Sequence, residues 1–151
     1  MNWEKIKEIA TNGSLSVKDW KSQKDGLWEI KENKFAKFKI YHKDNSKTLR
    51  FEFGIIHDQK ADKVKSYLED NPNKFRLSQK IESGANATVN INGTVFRIGF
   101  GPKTHYIVFK PESRKIQYIE KFDEKKLIQE FEKFRNSVIN SGLDKLLDKI
   151  N

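Results

Sequence analysis

Two hydrophobic periods alternate along this chain, and each change of period marks a change of element. Trp3, Ile6, Ile9 and Ala10 recur at helical spacing and stop at Asn12 and Gly13, which predicts a short amphipathic helix over 1–13. From Gly26 onward the period falls to two. Ala36, Phe38 and Ile40 alternate with Lys37, Lys39 and Tyr41, and Leu49, Phe51, Phe53 and Ile55 alternate with Arg50 and Glu52. Two antiparallel strands follow from that alternation, joined by the turn-like segment 43–47.

Asp58 is placed to cap a helix over 58–71 whose inward face is Ala61, Val64, Tyr67 and Leu68, and Pro72 ends it because proline cannot continue the hydrogen-bond ladder. A strand is expected over 74–81, broken by the polar, glycine-containing segment 83–86. The sharpest local signal is the run 87–98, where Asn92 and Gly93 suit the positive φ angles of a type I′ turn. Pairing across it sets Ile91 opposite Thr94, Val89 opposite Phe96 and Ala87 opposite Ile98, so one face is apolar in both strands. Further strands are predicted over 104–110 and 115–120, completing a four-stranded meander. Asp123 is placed to cap a long helix with Leu127, Phe131, Phe134 and Val138 on one side. Ser141 and Gly142 interrupt it, and the stripe Leu143, Leu146, Leu147 and Ile150 is expected to dock back on the domain.

The expected fold class is therefore α+β. One antiparallel sheet of about six to seven strands, in two meanders separated by a helix, is packed on one face by N-terminal, middle and long C-terminal helices. The 151 residues suit a single domain, 1–151, with strand regions at 26–56 and 74–121 between helices at 1–13, 58–71 and 123–151. A charged fraction of 34% and a mean hydropathy of -0.80 lean toward disorder, but 11 Phe supply the core that disordered chains lack. With no cysteine the chain has no disulfide, no thiol nucleophile and no thiolate zinc site. The first residues carry Glu4 and Glu8 and no run apolar enough for a secretory signal, which leads to the expectation of a cytoplasmic protein without membrane contact.

The net charge of +9 is unevenly placed. Acids and bases balance in 1–13 and again in 123–151, whereas 71–122 alone carries a surplus of +6. The strand regions are the basic ones. If helices cover one sheet face, alternation leaves Lys37, Lys39, Tyr41 and Arg50 on the open face, joined by Arg97, Tyr106 and Lys110. Lys103 and His105 lie close by in sequence and extend the candidate binding set. A surface of bases and aromatic rings attracts polyanions by releasing counterions and by stacking unpaired bases. Lys outnumbers Arg, so contact would be with the backbone of a nucleic acid and largely independent of its sequence.

Catalytic signatures fail on inspection. The order helix, three strands, helix, strand resembles the core of the PD-(D/E)xK nucleases, which would need a lysine two residues beyond a carboxylate on the third strand. Here Glu52 is followed by Phe53 and Gly54, so that lysine is missing. A metal-independent ribonuclease would need paired acid and base groups, and His105, next to Tyr106 and close to Lys103, is the histidine placed to serve a phosphate site. The run 99–104 lacks Walker A spacing, and Pro102 removes a backbone donor. No cofactor or metal is expected. The leading expectation is a non-enzymatic module that contacts nucleic acid or a nucleoprotein through the basic sheet face. The alternative is an interaction or inhibitory factor, of the kind mobile elements encode, gripping an acidic or apolar protein partner through that face or through the terminal leucine stripe. A ribonuclease centred on His105 ranks third.

Overall fold

The computed structural model describes residues 16–17, 27–31, 36–42, 49–55, 58–82, 86–101, 106–112 and 124–150. The elements are β1 (Ser16–Val17), β2 (Leu27–Lys31), β3 (Ala36–His42), β4 (Leu49–Ile55), α1 (Asp58–Asp70), β5 (Ala87–Ile91), β6 (Thr94–Gly101), β7 (Tyr106–Pro111), α2 (Glu124–Ser141) and α3 (Leu143–Lys149). The architecture is α+β with one antiparallel sheet. The helix expected over 1–13, the strand over 115–120, the turn over 43–47 and the cap at Asp123 lie outside the described residues.

Strand order across the sheet is β1-β2-β3-β4-β7-β6-β5. The last described strand in sequence thus sits inside the sheet. This follows from α1, which carries the chain from β4 to the far edge, so that the hairpins β5–β6 and β6–β7 build back toward β4. Phe53 pairs with Phe109 where the two halves meet.

The hairpin β5–β6 has the register that its sequence dictates, with Ile91 opposite Thr94, Val89 opposite Phe96 and Ala87 opposite Ile98. Asn92 at φ 51 and Gly93 at φ 96 occupy the left-handed region, which asparagine and glycine tolerate better than other residues. The Asn92 Nδ2 group donates to the Ser141 carbonyl at 2.7 Å, tying this turn to the end of α2. Gly142, at φ 77, then turns the chain into α3.

The strand expected over 74–81 does not form. Pro72 cannot donate a ladder bond, the Leu77 amide closes a turn onto the Pro72 carbonyl at 2.9 Å, and Arg76 takes φ 46. The segment runs beside β5 instead. The Asn90 amide donates to the Phe75 carbonyl at 2.7 Å, and the Thr88 amide to Ser78 Oγ at 2.8 Å. These contacts occupy edge amides that would otherwise be open to strand addition.

One core joins the helices to one sheet face. Phe38, Phe51, Phe53, Ile55, Val89, Phe96, Ile98 and Phe109 meet Ala61, Val64 and Leu68 of α1, Phe131, Phe134 and Val138 of α2, and Leu143 and Leu147 of α3. Phe131 lies 5.8 Å, centroid to centroid, from both Phe38 and Phe51, and Phe134 meets Phe38 edge-on at 6.0 Å. Leu143, Leu147 and Ile150 are buried and Leu146 packs against the cluster, so the terminal stripe docks back on the domain. Tyr67, expected on the inward face of α1, is only partly buried.

Candidate functional site

The strand pairings fix the register of seven of the predicted positions. In β3, positions 37, 39 and 41 alternate with the buried Ala36 and Phe38, and the register sets Lys37 opposite Gly54, Lys39 opposite Glu52 and Tyr41 opposite Arg50. β2 adds Lys31 opposite Lys37 and Glu29 opposite Lys39. On the other half of the sheet Arg97 pairs with Lys110 and with Thr88, and Val108 lies between Gly54 and Gly99. By register, positions 37, 39, 41, 50, 97, 106 and 110 share one parity across the sheet. Lys103 and His105 lie outside the described residues.

On this face Arg97 is buried and Lys110 is half-buried, where alternation alone leads to the expectation of open positions. Glu52 and Arg97 are each 8% exposed and Val108 is 5% exposed. Lys110 Nζ lies 3.3 Å from Glu52 Oε1 in a largely shielded ion pair, and Arg97 Nε donates to the Pro111 carbonyl at 2.8 Å. Both cations are thus committed within the fold. Alternation assigns a side to each residue but carries no information about what shields that side. Glu52 was the missed participant, legible only once β4 and β7 are known to be neighbours.

Glycine shapes the rest of this face. A Cβ at Gly54 would stand 2.9 Å from Val108 Cγ1 and 3.2 Å from the Ile107 carbonyl, so β4 and β7 meet there without room for a side chain. A Cβ at Gly101 would collide with the Tyr106 ring, which lies over that glycine and is partly buried. The β2–β4 half carries further basic positions by register, at 31, 37, 39 and 50.

On the helical side a further charge is buried. Lys60 of α1 is 6% exposed, and its ammonium is held below the ordinary lysine range. Burial penalises its charged form, the Asp148 carboxylate partly offsets that penalty, and the Lys63 charge adds to it. Among the described residues no group of three or more His, Cys, Asp or Glu could hold a metal ion, and no helix is long and apolar enough to cross a membrane. Comparison with protein-family models, curated proteins and solved structures finds no match to this chain.

Proposed function

We propose that the protein is a small basic module of the cytoplasm that binds nucleic acid or a nucleoprotein without catalysing a reaction. In this reading the scaffold is a sheet of six to seven strands with its helices, the N-terminal one included, on one face. The contact area is the β2–β4 half of the other face, with Lys37, Lys39, Tyr41 and Arg50 as its centre. The supporting observation is register: β2, β3 and β4 set Lys31 beside Lys37, and Tyr41 beside Arg50, with Glu29 and Glu52 the acids of that patch. Backbone phosphates would be met by lysine, with little discrimination between sequences.

A salt series of binding to single-stranded and duplex oligonucleotides tests the reading. Reversing Lys37, Lys39 and Arg50 to Glu is expected to weaken binding by about tenfold or more and to flatten its salt dependence. Reversing the exposed helix residues Lys133 and Lys145 should change it far less. No binding at low ionic strength, or equal loss from both sets, would overturn the proposal. An acidic protein on the same face is the competing outcome, recognised when polypeptide co-elutes with the untagged protein and these reversals release it. The terminal leucine stripe no longer supports a gripping role, since Leu143 and Leu147 are buried in the core.

A further inference from the structure

An open groove of about 690 Å³ lies on the helical layer, where α1, the turn after it and α3 meet. That volume falls within the range of about 300–1,000 Å³ usual for small-molecule sites. Lys63 of α1, Lys74 of the turn and Lys149 of α3 line it, so three exposed lysines from separate segments border one cavity. None of the three has a described carboxylate within 4.0 Å, although Asp62 and Asp70 line the same groove. Asp70 itself ends α1, where the helix dipole disfavours a carboxylate, and it has no described cation partner. Lys149, in the last turn of α3, is favoured there by the helix dipole, whereas Asp70 at the end of α1 is not.

The floor of the groove is less polar. Tyr67 and Leu146 are partly buried there, and Ile150 is buried. Lys74 Nζ stands 3.4 Å from the Tyr67 hydroxyl, 5.9 Å from the centre of its ring and 5.3 Å from that of Phe75, which holds one cation beside an aromatic surface. A fitting ligand carries a compact anion, a flat apolar body and at least one hydrogen-bond donor.

We propose that this groove binds a nucleoside monophosphate, either free or as the phosphorylated end of a strand. Lys63, Lys74 and Lys149 take the phosphate as point charges, the Tyr67 side supports the base, and the Asp70 carboxylate accepts from sugar hydroxyls or an exocyclic amine. The site lies on the helical layer and does not depend on the sheet-face reading.

Calorimetric titration with adenosine 5′-monophosphate tests it. One equivalent is expected to bind, while adenosine and inorganic phosphate each bind about tenfold more weakly, because each lacks half of the recognised chemistry. The exposed double variant Lys74→Ala/Lys149→Ala should lose about tenfold in affinity or more with its thermal midpoint unchanged, which separates lost binding from lost folding. The Lys37→Glu/Lys39→Glu variant should bind the nucleotide as the parent does, so this proposal and the sheet-face proposal fail separately. A 5′-phosphorylated single strand that displaces the nucleotide, where its unphosphorylated counterpart does not, identifies a strand end as the source. Displacement by neither identifies the free nucleotide. Absence of binding at millimolar nucleotide, or an affinity that the double variant leaves intact, would overturn the assignment.

Discussion

The two faces of the sheet are both shielded at their centres, but by different chemistry. Against the helices the strands present Phe38, Phe51, Phe53, Phe96 and Phe109, apolar groups that gain simply by leaving water. On the opposite face the shielded residues are Glu52, Arg97 and Val108, with Lys110 held by Glu52 at 3.3 Å. A Phe contact tolerates displacement, whereas a shielded cation needs a matching acceptor at hydrogen-bond distance. The first face therefore supplies most of the stability. The second constrains which strands can be neighbours, because Glu52 and Lys110 meet only if β4 lies beside β7.

The largest expected effect tests the first face. Phe53→Ala should lower the unfolding free energy by about 3–5 kcal/mol, a large share of the total for a domain of this size. Phe53 is fully buried, 4.7 Å from the Phe38 ring centroid, so the cavity cannot be filled by a small adjustment. Denaturant midpoints measure this, and a loss below about 1 kcal/mol would remove the distinction between the faces.

A smaller effect tests the second face. Glu52→Gln leaves the shielded Lys110 ammonium without its carboxylate and should cost about 1–3 kcal/mol. The double variant Glu52→Leu/Lys110→Met removes both charges and should recover much of that loss, giving a double-mutant coupling of about 0.5–3 kcal/mol. Additive single effects would show that the pair does not act as a unit.

The smallest effect concerns Lys60, the buried charge on the helical side. Its lowered affinity for a proton in the folded state means that the unfolded chain, with the ordinary value of 10.5, binds more protons above the lowered value. Stability from this group therefore rises with pH through that window and levels off above 10.5. Lys60→Met should abolish this rise, read as the difference in denaturation midpoint between wild type and variant across the alkaline range. An identical slope in both proteins would assign the pH dependence to other groups.

Much of the fold is legible locally. The alternation of Phe and Lys in β3 and β4 identifies two strands and the side of each residue, because the pleat has a period of two whatever the surroundings. Asn92 and Gly93 specify a turn and, through it, a register. The failed strand over 74–81 shows the limit: Phe75 and Leu77 resemble strand residues, but Pro72 and the left-handed Arg76 make an irregular brace along β5. For the candidate site, the residues that share a face were legible, and the commitment of Lys110 to Glu52 was not, since those positions are 58 residues apart. The groove lysines escaped notice for the same reason, being contributed by α1, the turn after it and α3.

The sequence by itself determined the periodicity of each element, the hairpin turn at Asn92 and Gly93, the break at Gly142 and the concentration of positive charge in the strand regions. Only the tertiary structure decided that β7 lies between β4 and β6, that Arg97 is shielded, and that Lys63, Lys74 and Lys149 surround one groove. The division has a physical origin. Backbone dihedrals and side-chain alternation depend on neighbours a few residues away, whereas burial, ion pairing and the shape of a groove depend on chain segments that meet only when the whole core has assembled.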